Sequence, residues 1–327
     1  MVELFLRSFV RFASLLQFLM PISIWLSMQY FKRKYRFAFL EKDPVVYADK
    51  LHYLAQLRNK LHPPRENFIV DVMIEDDIRL KANICQQYCG DMYYGIGFEQ
   101  DEMTWVKQFI KDGDVFFDVG ANIGVYTLLA SRMVGKRGQV HAFEPLDPTY
   151  DLLSKNVKLN QVENVYLNPA AIGDQVGELN LYINAQAALT GLGQTNRGIF
   201  LGVQKVPVLT LDDYAARNGI PAIDFLKIDV EGYEGHVLRG AARLIANSPN
   251  LIIMSELAKK NFEPLGFSVK EVVDWMHGLG FEAWMIKHDG TGVQYVRVGS
   301  SIYPYQNFIF MHRLNVKYNL LREQAKE

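Results

Sequence analysis

The chain has 327 residues, of which 49% are hydrophobic and 22% charged, and its formal net charge at pH 7 is −1. This length is enough for one large domain or two small ones, with a substantial core. Because proteins that bind nucleic acids usually carry a strong excess of basic residues, the near-neutral charge argues against such a partner.

The first predicted element is a hydrophobic segment, Phe12–Phe31, that contains no charged residue. Its length matches the hydrocarbon core of a bilayer, but a central proline and a weakly polar stripe argue against a simple transmembrane helix. The basic run Lys32–Arg36 follows at once and suits anionic lipid headgroups. We therefore predict a membrane-associating helix in residues 1–43, with residues 12–36 at the inner face of a membrane and the following domain in the cytoplasm. The sequence leaves open whether this helix spans the bilayer, lies in its plane or packs on the protein.

A linker is predicted for residues 44–66, with a helix over 44–61, because apolar residues recur there at intervals of three and four. Residues 67–327 are predicted to form the main domain. This domain begins with a β-hairpin over 68–82, around an acidic turn, and continues with a short helix over 102–110.

Two cysteines, Cys85 and Cys89, lie between the hairpin and that helix. We assign both to one strand, where a disulfide across so short a separation is geometrically awkward. A zinc site would need two more ligands, and no His–Cys cluster supplies them. We therefore predict reduced thiols in a cytoplasmic domain, and no metal.

Strands and helices alternate from Val115 onwards. The predicted strands are 115–119, 139–144, 165–170, 225–229 and 251–256, and the predicted helices are 125–134, 148–160, 211–218, 233–246 and 269–279. This order predicts an α/β fold with a parallel sheet and helices on both of its faces. A Gly-rich hairpin over 178–208 interrupts the alternation, and 282–286 with 307–312 form a final antiparallel pair.

The most informative segment connects the strand that ends in Asp118 with the helix that begins near Val125. The turn between them contains Gly120, Ala121, Asn122 and Gly124. Such a turn presents backbone N–H groups and a helix N-terminus to a ligand. Its spacing differs from the Gly-x-Gly-x-x-Gly that fits a pyrophosphate. The acidic residue and the Gly-x-x-x-Gly spacing favour a cationic ligand without phosphate, such as S-adenosylmethionine (SAM).

Two later strand ends supply further candidates for this nucleoside. Glu144, followed by Pro145, lies one strand–helix–strand unit beyond Asp118, where a carboxylate accepts hydrogen bonds from both ribose hydroxyls. The alternative is a solvated acid at a strand end. After the third strand, backbone groups around Ala171 and Ile172 are candidates for pairing with the adenine edge, with the aliphatic side chain over its face.

Two acids, Asp229 and Glu231, follow the fourth strand. They are candidates for a general base or a substrate clamp, because methylation of an alcohol requires removal of its proton. The alternative is that they only cap the next helix. Glu256, at the end of the fifth strand, and His236 stay open as contributors, and a lone helical histidine is more often a packing residue.

In combination these motifs resemble the FkbM-type SAM-dependent methyltransferases over residues 68–312, about three quarters of the chain. The matching words are Asp118-Val-Gly-Ala-Asn-Ile-Gly124, Phe143-Glu-Pro145, Ala171-Ile-Gly-Asp174, Leu211-Asp-Asp213, Lys227-Ile-Asp-Val-Glu-Gly232 and Gly240-Ala241. The resemblance implies a class I methyltransferase (Rossmann-like) fold with a mostly parallel seven-stranded sheet. It also implies methyl transfer from SAM, usually to a hydroxyl oxygen of a sugar, a glycolipid or a polyketide-type acceptor.

The predicted site residues follow from the motifs and this resemblance. SAM is assigned to Asp118, Gly120, Ala121, Asn122, Gly124, Glu144, Pro145, Ala171 and Ile172, and the acceptor to Asp229 and Glu231. The chain departs from the family after the fifth strand, where Leu257–Lys260 lacks the histidine that often follows the acid. For this reason the role of Glu256 stays open.

Two other classes of protein fit parts of the sequence. A nicotinamide-dependent oxidoreductase uses a similar sheet, but needs Gly-x-Gly-x-x-Gly and a proton donor such as Tyr-x-x-x-Lys, and neither is in place. In a non-catalytic membrane scaffold the acids would serve only as helix caps. The sequence identifies neither the acceptor nor the oligomeric state.

Overall fold

The computed structural model describes residues 68–75, 77–93, 99–192, 199–258, 261, 265–286, 293–296 and 306–324. The predicted N-terminal membrane helix and the linker helix both lie outside these residues. Within the described ranges, no helix combines the length and the apolar character needed to cross a membrane.

The predicted N-terminal hairpin is present as a two-stranded sheet of β1 (Ile69–Ile74) and β2 (Ile78–Asn83). The described residues fall into two compact units. One contains β1, the end of β2 and the helix α1 (Gln87–Tyr93), and the other contains residues 75–80 and those from Glu99 onwards.

The cysteine segment is not a strand, in contrast to the prediction. The Asn83 side chain accepts hydrogen bonds from the N–H groups of Phe68 and Cys85 at 3.0 and 3.1 Å, and the chain then turns into α1. Such side-chain bonds to the backbone compete with extension of a strand. Both cysteines are buried and neither takes part in a disulfide within the described residues, and burial raises the pKa of Cys89 to about 12.

The main sheet has eight strands among the described residues, in the order β12–β11–β13–β10–β9–β3–β4–β5. Its strands are β3 (Val115–Val119), β4 (Gln139–Phe143), β5 (Val165–Asn168), β9 (Phe225–Ile228), β10 (Ile252–Leu257), β11 (Phe281–Ile286), β12 (Val293–Val296) and β13 (Gln306–His312). The five consecutive strands from β10 to the edge strand β5 pair in parallel, whereas β10, β13, β11 and β12 pair antiparallel. This order confirms the predicted class I fold, with β12 as an eighth strand that the sequence did not indicate.

Helices cover both faces of this sheet. The helices of the second unit are α2 (Gln100–Phe109), α3 (Val125–Val134), α4 (Asp147–Leu159), α5 (Leu211–Arg217), α6 (Glu234–Arg239), α7 (Ala242–Ala246), α8 (Val269–Gly278) and α9 (Tyr318–Gln324). Phe117 contacts Tyr214 of α5 with 5.8 Å between ring centroids. Its neighbour Asp118 points to the opposite face, because side chains alternate along a strand, and there it accepts a hydrogen bond from Thr127 of α3.

The helix predicted over 233–246 is divided into α6 and α7. At the break, Gly240 lies so close to Gly173 that a Cβ atom would be 1.9 Å from the Gly173 carbonyl oxygen. The Asp212 carboxylate accepts hydrogen bonds from the N–H groups of Arg243 and Leu244 at 3.1 and 2.8 Å and so caps α7. The three family motifs that contain Gly173, Asp212 and Gly240 therefore make contacts that stabilise the fold.

A smaller sheet, in the order β6–β8–β7, contains the hairpin predicted over 178–208. Its strands are β6 (Ala171–Ile172), β7 (Gly177–Asn184) and β8 (Phe200–Leu209). The strand predicted over 165–170 ends early, at Asn168, because Pro169 has no N–H to donate and the chain then leaves β5 to pair with β8.

Candidate functional site

The candidate site lies where the strand order changes direction. From β3 the chain continues to β4 on one side, whereas β9 adds to the other side of β3. In open α/β sheets, ligands bind beyond the carboxyl ends of the strands at such a point. The predicted residues Asp118, Glu144 and Asp229 all lie at these strand ends.

The glycine turn after β3 packs directly against the end of β9. Gly120 has a φ of +80°, and a Cβ atom there would lie 1.9 Å from the Asp229 carbonyl oxygen. The N–H groups of Gly120 and Ala121 both donate to the Phe143 carbonyl at 3.0 Å. Gly124, with a φ of +96°, is the N-cap of α3. Only glycine allows both the positive φ and the close approach at position 120.

Glu144 holds the turn from the end of β4. Its buried carboxylate accepts hydrogen bonds from the N–H groups of Asn122 at 3.0 Å and Leu146 at 2.9 Å, one on each oxygen. Burial raises the pKa of Glu144 to about 7, against the lowering effect of these two bonds. Each oxygen retains a second acceptor position, so the carboxylate fits the two hydroxyl donors of a ribose.

Pro145 is fixed at the same strand end, since its carbonyl accepts a hydrogen bond from Gln204 of β8 at 3.0 Å. Ala171 and Ile172 are both buried, and Ile172 is 1% exposed within the main core. These contacts give Ala171 and Ile172 a packing role, and their binding to adenine stays a prediction.

Asp118 supplies an acceptor that its protein neighbours leave unused. One oxygen accepts a hydrogen bond from the Thr127 hydroxyl at 2.6 Å, whereas the buried Oδ1 has no partner among the described residues. Burial raises the pKa of Asp118, and Lys227 lowers it. An unpaired buried carboxylate oxygen beside the glycine turn fits the cationic part of SAM.

Lys227 is a functional candidate that the sequence-based prediction missed. It pairs with Asp118 in the sheet register, and its Nζ lies 3.3 Å from Asp229 Oδ2 and 4.8 Å from the centroid of the Tyr126 ring. Burial alone would lower the pKa of Lys227, but the carboxylates of Asp229, Asp118 and Glu99 raise it overall. The sequence could have indicated Lys227, because a charged residue between the apolar residues of a buried strand is unusual.

Glu99 was also missed. It precedes α2 with a φ of +42°, and its carboxylate accepts a hydrogen bond from the Tyr126 hydroxyl at 2.6 Å. Burial raises the pKa of Glu99 to about 7, and Lys227 lowers it. Its distance in sequence from the strand-end motifs hid this position.

The loop after β9 carries the two predicted acceptor residues. Glu231 has a φ of +56°, and its carboxylate accepts a hydrogen bond from the Asn261 side chain at 3.0 Å. The N-cap of the following helix is Tyr233, with no side-chain cap. The interpretation of Asp229 and Glu231 as simple caps therefore has no support at α6. No group of three His, Cys, Asp or Glu within the described ranges is arranged to hold a metal ion.

Glu234 shapes this loop and was not predicted. It is 1% exposed, and its Oε1 accepts hydrogen bonds from the N–H groups of Val230 and Gly232 at 3.1 and 3.0 Å. Burial raises the pKa of Glu234 to about 8, against these bonds. The carboxylate thus fixes the backbone on both sides of Glu231.

His236 belongs to the packing around α6. Its Nδ1 lies 2.9 Å from Asp174 Oδ2, and its ring stacks on Tyr233 with 4.0 Å between centroids. These contacts support the structural interpretation of this histidine.

Residues 118–283 match the family model described as the methyltransferase FkbM domain, which covers half of the chain. This chain belongs to that family. Membership confirms the resemblance drawn from the sequence words and the predicted cofactor, SAM.

Two curated relatives of this FkbM-family protein are methyltransferases by name. The 31-O-demethyl-FK506 methyltransferase FkbM of Streptomyces tacrolimicus is 31% identical over 159 residues, which cover 40% of this chain and 60% of that protein. The hexuronic acid methyltransferase AglP of Haloferax volcanii is 26% identical over 156 residues, which cover 48% of this chain and 61% of that protein. The chain thus spans about three fifths of the length of the relatives it matches.

Solved structures are more distant. The structure of M. jannaschii TYW2 in complex with AdoMet has a TM-score of 0.38 and 13% identity, over 75% of this chain and 86% of that one.

Proposed function

We propose that this protein is a SAM-dependent O-methyltransferase that modifies a hydroxyl group of a sugar, a glycolipid or a polyketide-type acceptor. Family membership supports methyl transfer. The names of the two relatives, one acting on an oxygen of demethyl-FK506 and one on a hexuronic acid, support the acceptor classes. The close approach of the Gly120 turn to Asp229 carries the most weight, because it brings the proposed cofactor and acceptor residues together.

Three parts of this chain would hold the cofactor. Glu144 would accept from ribose hydroxyls, Asp118 Oδ1 would face the cationic methionine part, and the turn from Gly120 to Gly124 would line the space between them. When bound, SAM would supply an electrophilic methyl group; the acceptor oxygen would bond to its carbon while the sulfur keeps the electron pair of the broken carbon–sulfur bond. Asp118, Gly120, Ala121, Asn122, Gly124, Glu144, Pro145, Ala171 and Ile172 remain the proposed cofactor set.

Asp229 would act on the acceptor. A hydroxyl that is being methylated must lose its proton, and a carboxylate within hydrogen-bond reach takes it. Lys227, at 3.3 Å, orients the Asp229 carboxylate. Glu231, held by Asn261, would contribute to the acceptor pocket.

Calorimetric titration with SAM tests cofactor binding. The wild-type protein should bind SAM, whereas Gly120→Val should abolish binding, because the side chain would collide with the Asp229 carbonyl. Glu144→Ala should weaken binding by about ten- to a hundredfold through loss of hydrogen bonds to a charged group. Gly278→Ala is the matched glycine control, since it meets nothing within 4 Å. A folded wild-type protein that binds no SAM would contradict the proposal.

A second measurement distinguishes a role of Asp229 in methyl transfer from a role in cofactor binding. Asp229→Asn should leave the Kd for SAM within about threefold and slow methyl transfer by roughly a hundred- to ten-thousandfold, the usual range for a lost general base. Acceptor panels of sugars, glycolipids and polyketides, with radiolabelled methyl groups, provide the assay. Unchanged turnover would remove Asp229 from the mechanism.

We also propose that residues 12–36 attach the protein to an anionic membrane surface, which would bring a lipid-linked acceptor close. Flotation of the full chain with vesicles that contain anionic lipid tests this, with Lys32, Arg33, Lys34 and Arg36 changed to Glu as the comparison. Equal flotation of both proteins would exclude the basic run as the attachment.

A further inference from the structure

The side chains of Glu256 and Asp229 lie next to each other on neighbouring parallel strands. Ser255 of β10 pairs with Ile228 of β9, and the two acids each follow this pair by one residue. Residues matched in this way point to the same face of a sheet, with strands about 4.8 Å apart. A side-chain hydrogen bond with Asp229 is among the causes that raise the pKa of Glu256.

One oxygen of Glu256 remains unused by the protein. Glu256 Oε1 is buried and has no hydrogen-bond partner among the described residues, so the bond to Asp229 uses Oε2. Asp229 is therefore held from two sides, by Glu256 and by Lys227 Nζ at 3.3 Å. A hydrogen bond between two carboxyl groups requires one proton, because two carboxylates offer only acceptors.

The surroundings of Glu256 decide where that proton resides. Burial raises the pKa of Glu256 well above its ordinary value, and the charges of Asp229, Glu231 and Glu234 raise it further. On the other side, in β13, Asn307 pairs with Glu256 in the register and donates to Glu102 of α2 at 3.2 Å. Lys227, a buried cation of β9, forms its ion pair with Asp229. These surroundings favour a proton on Glu256.

We propose that Glu256 is a positioning residue that works as a neutral acid, donating a hydrogen bond that fixes the Asp229 carboxylate toward the acceptor. This role rests on the proposed methyltransferase function. Glu256 would not itself remove the acceptor proton, which passes to Asp229.

Substitutions that separate hydrogen bonding from ionisation test this role. Glu256→Gln keeps a donor of similar shape, whereas Glu256→Leu removes it. We expect Glu256→Gln to retain kcat within about threefold and Glu256→Leu to lower it by roughly thirty- to a hundredfold, as expected for a misplaced reacting group. The Kd for SAM should be unchanged in both variants, which also shows that they fold. Equal losses in Gln and Leu variants, or no loss in the Leu variant, would overturn the proposal.

The pH profile of kcat gives a readout that a merely structural role would not move. The wild-type enzyme should lose activity at high pH as Glu256 ionises and its hydrogen bond to Asp229 is lost. Glu256→Gln cannot ionise and should keep its activity over the same range. An identical alkaline limb in both proteins would count against the neutral-acid role.

Infrared spectroscopy tests the protonation state without any acceptor. At pH 9 the carboxyls of Glu99, Glu144 and Glu234, with pKa values of about 7, 7 and 8, are mostly ionised. The difference spectrum of wild type minus Glu256→Gln should therefore show the carbonyl band of one protonated carboxyl group. Absence of this band would refute the inference that Glu256 is protonated. If the band is present but the protein methylates no acceptor, the hydrogen-bonded pair of Glu256 and Asp229 would stand and the proposed function would be refuted.

Discussion

Burial is the main influence on the pKa values of individual carboxyl groups around the candidate site. Glu99, Glu144 and Glu234 all have raised pKa values, and in each case burial is the largest cause. Each of them also accepts hydrogen bonds from named donors, which partly offset the cost of burial. Sites for catalysis commonly contain such perturbed groups, although structural networks produce them as well.

The raised pKa of Glu144 predicts pH-dependent cofactor affinity. Ribose hydroxyl donors favour the ionised carboxylate, so below pH 7 a bound proton must first be released. We expect the Kd for SAM to rise by up to about tenfold for each unit that the pH falls below 7. Glu144→Gln should bind more weakly at pH 8 and show a shallower dependence. Calorimetry from pH 5.5 to 8.5 measures the Kd for SAM of both proteins. Titration of SAM itself affects both equally and cancels in the comparison. The same pH dependence in both proteins would rule out Glu144 as the titrating group.

At the scale of secondary-structure elements, the junction of α6 and α7 links three segments that are distant in sequence. Asp212 N–H donates to the Gly240 carbonyl at 2.9 Å, and the Asp212 side chain caps α7. Gly240 in turn lies against Gly173, next to β6. The sequence words that contain these residues thus have a packing explanation that is independent of the cofactor.

A substitution at this junction should destabilise the protein. The Cβ atom of Gly240→Ala would lie 1.9 Å from a backbone carbonyl, so the chain must shift. We expect a loss of about 1–3 kcal/mol in the free energy of unfolding, the usual range for overpacking. Denaturant unfolding measures this, with Gly278→Ala as the control in α8. That control has open space and should gain about 0.5–1 kcal/mol from helix propensity. Equal stability of the two variants would refute the close contact.

For the whole molecule, the buried acids make stability depend on pH. Glu99, Glu144 and Glu234 hold their protons more tightly in the folded state than in the unfolded chain. Their stabilising contribution is complete below the ordinary pKa of 4.5 and is lost as the pH rises to about 7 or 8. His141 has the opposite effect at the acid end, because burial lowers its pKa to about 4.

We therefore expect the free energy of unfolding of the cofactor-free protein to fall as the pH rises from 5.5 to 8.5. Glu234 alone should account for a decrease on the order of a few kcal/mol. Glu234→Gln should reduce this loss, since the amide cannot ionise. Glu163→Gln, at an exposed position, is the matched control and should leave the slope unchanged. Thermal unfolding across this pH range measures all three proteins. If Glu234→Gln showed the same dependence of stability on pH as the wild type, ionisation of Glu234 would not destabilise the fold and the prediction would be wrong.

The sequence by itself determined the family, the cofactor and most of the sheet. Alternating apolar strands and helices are local patterns, and seven of the eight described strands of the main sheet were predicted from them. Glycine spacing and strand-end acids are also local, so Asp118, Gly120, Glu144 and Asp229 were predicted as site residues without coordinates.

Only the tertiary structure showed which further residues lie at the candidate site. Lys227, Glu99 and Glu256 come together with Asp229 through strand register and burial, which depend on contacts between segments far apart in sequence. The same reason explains why the helix predicted over 233–246 is divided. Local periodicity does not encode a steric contact such as that of Gly240, or the desolvation that decides which carboxyl keeps its proton.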